Sequence, residues 1–321
     1  MQTDFIDIAD WPDDDEFSAA YPEGARPKRT LFSPIIPDQK YIKPDWRHMF
    51  KRSAERYPEQ FWAEIIAYEI SLLLGISAPP CYAAFDSRNG QCGALSAWFY
   101  KDGDESFYSA GNFFHKIVPG FDRERGTQHN IVDCDEFNNR VLGKDQIYEF
   151  WSMLLFDMLI GNTDRHQDNW GHLLKAVQLS KSVARRRGDK FDVKWRFAPW
   201  FDNGTSLGHE LLSEKFSRWD AATLDRYIRR GKHHMRYSRD NLERMGHIES
   251  LSFIKSHAGV RVLLLKRLRD FDLNALGVVL ERLVDLPAPA GGNLTKARAE
   301  FIFRLTQRRA QLAMETLNER N

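Results

Sequence analysis

Apolar and polar positions alternate in short runs over about the first 95 residues, as in Thr30-Leu31-Phe32 and His48-Met49-Phe50, with Pro- and Gly-bearing turns between them. This alternation predicts half-buried strands. One stretch departs from it: Phe61, Ile65, Tyr68 and Leu72 recur at helical spacing between Pro58 and Gly75, until Ala78-Pro79-Pro80 ends the pattern. Strand-like Tyr82-Ala83-Ala84-Phe85 and Ala94-Leu95-Ser96-Ala97-Trp98-Phe99 then flank a turn at Asn89-Gly90. A small sheet carrying one helix follows, an N-terminal lobe over residues 1–100. Beyond residue 100 the helical period dominates, over 146–160 and in three segments after residue 255, so residues 101–321 are expected to form a larger, mostly helical lobe. Within it, 176–198 reads as a hairpin with a basic tip at Arg185-Arg186-Arg187, and 287–292 as a linker between helices. The fold class expected is α+β.

Composition narrows the function classes. At 321 residues and 37.4 kDa the chain is long enough for two lobes with a core each. Lys and Arg number 46 against 45 Asp and Glu, so no global positive excess points to direct nucleic-acid binding, and any basic surface is local. Cys81, Cys92 and Cys134 lack the paired spacing of a zinc site or a disulfide framework, which favours a reducing compartment. Met1 runs into acidic Asp13-Asp14-Asp15-Glu16 without the basic-then-apolar order of a secretory signal, and no apolar run reaches the roughly 20 residues that span a bilayer. A soluble cytoplasmic protein with no membrane partner is expected. His247-Ile248-Glu249 resembles part of a zinc deaminase motif, but no Cys-x-x-Cys follows it.

The densest chemistry lies in Gly161-Asn162-Thr163-Asp164-Arg165-His166-Gln167-Asp168-Asn169-Trp170 and in Phe201-Asp202-Asn203-Gly204. Phosphoryl transfer needs one carboxylate to orient the attacking hydroxyl, and an amide with a second carboxylate to hold the Mg²⁺ that neutralises the phosphates. Asp164, Asn169 and Asp202 supply all three. An aspartate with an asparagine five residues on has the spacing of a kinase catalytic loop. His166 stands among them, able to orient the loop or stabilise charge on the transferred group. Gly161-Asn162 also reads as an ordinary C-terminal signal for the helix before it.

Upstream, Glu64 falls on the apolar stripe of the predicted helix, where a carboxylate must be paired or neutralised. Lys51, at the end of a strand-like run, is the partner expected. Gly24-Ala25-Arg26-Pro27-Lys28 precedes the first confident strand, and its backbone amides and basic side chains suit triphosphate oxygens.

Together these segments resemble the HipA-like serine/threonine kinases, known mainly as toxins of toxin–antitoxin modules. Gly24 to Lys28 is similar to the phosphate loop of that family, Lys51 and Glu64 to its nucleotide lysine and helix glutamate, Gly161 to Asn169 to its catalytic loop, and Phe201 to Gly204 to its metal turn. The resemblance implies a two-lobed protein-kinase-like fold, ATP with Mg²⁺, and transfer of the γ-phosphoryl group to a Ser or Thr of a protein, some members acting on translation components. By the same resemblance Asp164 accepts the hydroxyl proton, Asn169 and Asp202 hold Mg²⁺, and Lys51, set by Glu64, binds phosphate. The backbone of Phe99 and Tyr100 would meet adenine at the hinge, and a small antitoxin is the partner implied. Two departures stand out. Tyr21-Pro22-Glu23 precedes Gly24 where several members carry an autophosphorylated serine, and the segment ahead of Gly24 is expected to be too short for the extra N-terminal subdomain of longer relatives.

Two other readings compete. Asp-Arg-His-x-x-Asn also looks like the loop of phosphoinositide kinases, against which stands the lack of a basic amphipathic helix suited to a membrane surface. The other is a catalytically inactive kinase-like binding module, against which stands the joint presence of Lys51, Asp164, Asn169 and Asp202.

Overall fold

The computed structural model describes residues 2–14, 28–180, 190–254, 257–289 and 291–319. Strands β1 (Ile6–Asp7), β2 (Lys28–Phe32), β3 (Arg47–Arg52), β4 (Cys81–Asp86) and β5 (Gln91–Ala97) form one sheet in the order β1-β4-β5-β3-β2, antiparallel apart from the parallel β1–β4 pair. Alternation on β3 explains its place. His48 and Phe50 are buried, Phe50 against Ile6, Ile8, Leu31 and Leu95, while Met49 and Lys51 point into a cleft. Burial of a side chain such as Phe50 contributes about 1.5–3 kcal/mol. Strand β5 ends at Ala97, two residues before the expected end at Phe99, although Trp98 still donates its N–H to the Arg47 carbonyl opposite it and accepts the Trp46 indole N–H at its own carbonyl.

Helix α1 (Gln60–Leu73) bears out the helix read between Pro58 and Gly75, with one correction to its stripe. Leu72 is 54% exposed, whereas Trp62, Ile66 and Ile70 are fully buried. The helix lies between the sheet residues Ala83 and Ala94 on one side and C-terminal helices on the other, so more than one face is covered.

The remainder is mostly helical: α2 (Ala110–Ile117), α3 (Ile131–Glu136) running into a π-helical turn (Phe137–Leu142), α4 (Lys144–Ile160), α5 (Ser213–Phe216), α6 (Ala221–Arg229), α7 (His247–Phe253), α8 (Ala258–Asp270), α9 (Leu273–Val284) and α10 (Lys296–Asn318). Helix α4 is apolar on all sides, with Phe150, Trp151, Met153, Leu154, Phe156 and Leu159 each no more than 1% exposed. It is therefore the central helix around which the others pack. Three antiparallel strands, β6 (Ser106–Ser109), β7 (Gly171–Gln178) and β8 (Phe191–Phe197), lie beside it, and β9 (Lys232–Arg236) pairs with β10 (Arg244–Gly246). β7 and β8 are the arms of the hairpin expected over 176–198. Its basic tip, Arg185 to Arg187, lies outside the described residues. Among the described residues no helix is long and apolar enough to cross a membrane.

Candidate active site

The catalytic-type loop starts where α4 stops. Gly161 takes a left-handed conformation (φ 70°), a region in which a side chain is disfavoured, and a Cβ there would stand 2.6 Å from the guanidinium of buried Arg309. Asn162 N–H then donates to the Asp157 carbonyl at 2.8 Å, and its side-chain oxygen accepts the Asp164 N–H at 2.9 Å. Buried His247 donates Nε2–H to the Asn162 carbonyl at 2.9 Å. Gly161-Asn162 is thus both a helix cap and the first anchor of the loop. At its far end the Gly111 and Ala110 N–H groups of α2 donate to the carbonyls of Gln167 (2.7 Å) and Trp170 (2.9 Å).

Arg165 binds this loop to the second acidic motif. Its side chain is fully buried, paired with the equally buried Asp157 carboxylate of α4 at 2.7 Å. Burial pushes the Asp157 pKa up, and the guanidinium opposes that rise. The same guanidinium donates to the carbonyl of Asn169 at 3.1 Å, to the carbonyl of Phe201, and to Asn203 Oδ1 at 2.6 Å. One cation therefore fixes 165–169 against 201–203. Sequence reasoning assigned Arg165 no role. The signal was Asp157, a carboxylate inside an apolar helix that needs a partner as Glu64 does.

Across the cleft Lys51 Nζ lies 3.0 Å from Glu64 Oε1 and 2.8 Å from Asp202 Oδ1. Glu64 is 4% exposed, and its second oxygen accepts the Asn203 N–H at 3.1 Å. The expected pairing of Lys51 with Glu64 is present, and a single ion-pair chain joins sheet, helix α1 and the 201–204 turn. Asp202 holds φ at 58°, rare for a residue with a side chain and of order 1–3 kcal/mol in strain. That backbone turns its carboxylate toward Lys51 and the cleft.

Asp164, Asn169, Asp202, Lys51 and Lys28 all line this cleft, whose volume is about 1460 Å³. Lys28 stands directly opposite Lys51 in the β2–β3 register. Gly24 and Arg26, the rest of the expected phosphate loop, lie outside the described residues. Asn169 donates its side-chain N–H to the Asp164 carbonyl at 2.9 Å, which leaves its oxygen as the atom suited to a hard cation. The donor set of one carboxylate and one amide oxygen fits Mg²⁺, which takes few protein ligands when phosphates supply the others. Asp168 lines the same cleft but is engaged there, its Oδ1 accepting from Ser109 Oγ at 2.7 Å and facing Arg123 at 3.3 Å.

Burial raises the pKa of Asp164, His166 counters that rise and the Asp202 carboxylate adds to it. His166 bonds its backbone N–H to the Asp164 carbonyl, accepts the Asp168 N–H on Nδ1, and packs edge-on to His234 at 5.9 Å. At the opposite end of the cleft Phe99 stacks on Phe201 at 4.9 Å with Phe107 edge-on to both. Among the described residues the backbone N–H and C=O of Phe99 and Tyr100 have no hydrogen-bond partner.

A five-stranded sheet with one helix, a mostly helical remainder and a cleft lined by their charged residues define a kinase-like α+β fold. The crystal structure of a Helicobacter pylori proinflammatory kinase, CtkA, shares that fold with a TM-score of 0.72 and 15% identity over 98% of this chain and 98% of that one. HipA of the Shewanella oneidensis MR-1 toxin–antitoxin system, solved with HipB and its operator DNA, overlaps with a TM-score of 0.45 and 13% identity over 95% of this chain and 65% of that one. No family model and no curated protein matches the sequence itself. The kinase-like fold expected from the spaced motifs is thus borne out by the likeness to CtkA.

Proposed function

We propose that the protein is an ATP- and Mg²⁺-dependent serine/threonine protein kinase of the HipA-like kind, built of an N-lobe over residues 1–100 and a C-lobe over 101–321. One observation carries the reading: Lys51 is bound at once to Glu64 and Asp202, on a turn that Arg165 ties to the loop of Asp164 and Asn169. Residues from four separated segments meet at one point.

When bound, Mg·ATP supplies the transferable phosphoryl group and the cation that neutralises its oxygens. Lys51, held by Glu64, and Lys28 opposite it bind phosphate oxygens, and the family resemblance adds Gly24 and Arg26 to that task. Asp202 and the Asn169 side-chain oxygen hold Mg²⁺. The free backbone groups of Phe99 and Tyr100 receive adenine, beside the aromatic faces of Phe99 and Phe201. Asp164 orients the acceptor hydroxyl and takes its proton, a role that positioning and a raised pKa both suit. His166 stabilises the loop and the charge next to it. The family resemblance further supplies the acceptor, a Ser or Thr of a cellular protein such as a translation component, and a small antitoxin as regulatory partner.

Thermal unfolding with Mg·ATP tests the nucleotide site. Ligand at about a hundred times its Kd stabilises by about 2.7 kcal/mol, so wild-type Tm rises by several degrees. Asp202→Ala removes the Mg²⁺ dependence of that rise, and labelled phosphate from ATP no longer enters lysate proteins. A wild-type protein with neither a shift nor transfer contradicts the proposal.

A further inference from the structure

The basic cluster Arg229-Arg230-Gly231-Lys232 leads into β9, a strand that the proposed reaction leaves unused. Along β9, His233 and Met235 are buried, so Lys232, His234 and Arg236 share the opposite face. Arg244 of β10 stands directly across from Arg236 in the register. Like charges directly opposite each other destabilise a strand pair. Even so, neither arginine forms an ion pair among the described residues, although Asp240 and Glu243 stand on the connecting turn. Arg239, by contrast, is paired with Asp133 at 2.8 Å. The hairpin is held firmly, since Arg236 N–H donates to the carbonyl of buried His129 at 2.8 Å.

This face adjoins the catalytic-type loop. His234 packs edge-on against His166, which is bonded through its backbone to Asp164. Positive charge is in excess here: burial, then Arg244, His166 and Arg236, push His234 down to about 4. Arg244 also acts on Asp164 itself.

We propose that the outer face of β9 and β10, through Arg236, Arg244 and Lys232, receives acidic side chains of the protein segment that carries the acceptor hydroxyl. Lys232 and Arg236 on one face of β9, with Arg244 beside Arg236 on β10, suit an extended chain, in which each residue advances about 3.3 Å. A segment whose Ser or Thr lies at Asp164 therefore passes its neighbouring residues over His234 and then Arg236. The inference deepens the kinase reading and relies on it only for which residue is the acceptor.

The test uses the full-length protein and two labelled synthetic peptides, one with a serine flanked by glutamates and one with glutamines in their place. Fluorescence anisotropy reads binding, and labelled phosphate reads transfer. Wild type binds the glutamate peptide at least about tenfold more tightly, and Arg236→Gln with Arg244→Gln abolishes that preference. The Mg·ATP-induced thermal shift of the double variant stays that of wild type, and the single exposed variant Arg244→Gln, about half as affected, guards against misfolding. Equal binding of both peptides by wild type, or an unchanged preference in the double variant, overturns the proposal. So does loss in the double variant of binding to phosphoinositide-containing vesicles alone, with the peptides unaffected. If arginine-dependent peptide binding persists without any phosphoryl transfer, the docking face stands and the kinase reading falls.

Discussion

Asp164 is a half-buried carboxylate on which a second carboxylate, Asp202, acts, and this sets how its chemistry responds to pH. In the proposed role as base the acting form is the ionised one. Because its pKa is raised, that form is present at higher pH and is lost, as pH falls, sooner than for an ordinary aspartate at 3.8. The acid limb of kcat/KM, which reports the free enzyme, is therefore expected above about pH 4, and it vanishes in Asp164→Asn. A limb below that value contradicts the assignment. The site residues were legible in the sequence where chemistry is local: Asp164 and Asn169 by spacing, Asp202 by its turn, Glu64 by its place on an apolar stripe. Arg165 was not, because an arginine in a polar run reads as solvated until Asp157, Asn203 and two carbonyls close around it.

Two helices carry the site and both were legible from their period. Helix α1 presents Glu64, and α4 ends at Gly161, where the loop begins. Gly161→Ala forces a side chain into a left-handed conformation and against Arg309, which is itself bonded to the Met158 carbonyl at 2.8 Å. Denaturant unfolding is expected to show a loss of about 1–2 kcal/mol, with turnover falling further than stability because the displaced loop carries Asp164. A variant with wild-type stability and turnover would show that the cap does not position the loop. The short strands were less legible. β6 pairs with β7 across more than sixty intervening residues, so nothing local announces that pairing, whereas β8, with Phe191, Val193, Trp195 and Phe197 alternating with polar residues, was legible as an arm of the expected hairpin. β9 and β10 form a two-stranded pair whose arginines give no apolar pattern at all.

At the scale of the molecule, the helix bearing Glu64 belongs to the same apolar cluster as the C-terminal helices. Helix α1 packs against α9, and Trp62 and Ile66 belong to one apolar cluster with Leu280 and Leu283 of α9 and Phe301 and Leu305 of α10. Polar ties reinforce this: the Trp62 indole donates to the Gly292 carbonyl at 3.0 Å, Arg282 pairs with Glu69 at 2.7 Å, and Arg298 with Glu59 at 3.1 Å. The sequence showed three C-terminal helices without showing that they brace α1, since that contact joins positions more than two hundred residues apart. Such a shared core predicts one cooperative thermal transition, with calorimetric and van't Hoff enthalpies in agreement, whereas two separate transitions would mean that the sheet unfolds on its own. The brace holds Glu64 against Lys51. The central claim is that this cleft transfers phosphate with Asp164 as the hydroxyl-orienting base. Labelled γ-phosphate transfer into lysate proteins, measured for wild type and Asp164→Asn alongside their Mg·ATP affinities, tests it most directly. The account predicts unchanged affinity and transfer lower by about 10²–10⁴-fold in the variant. Undiminished transfer by Asp164→Asn contradicts it.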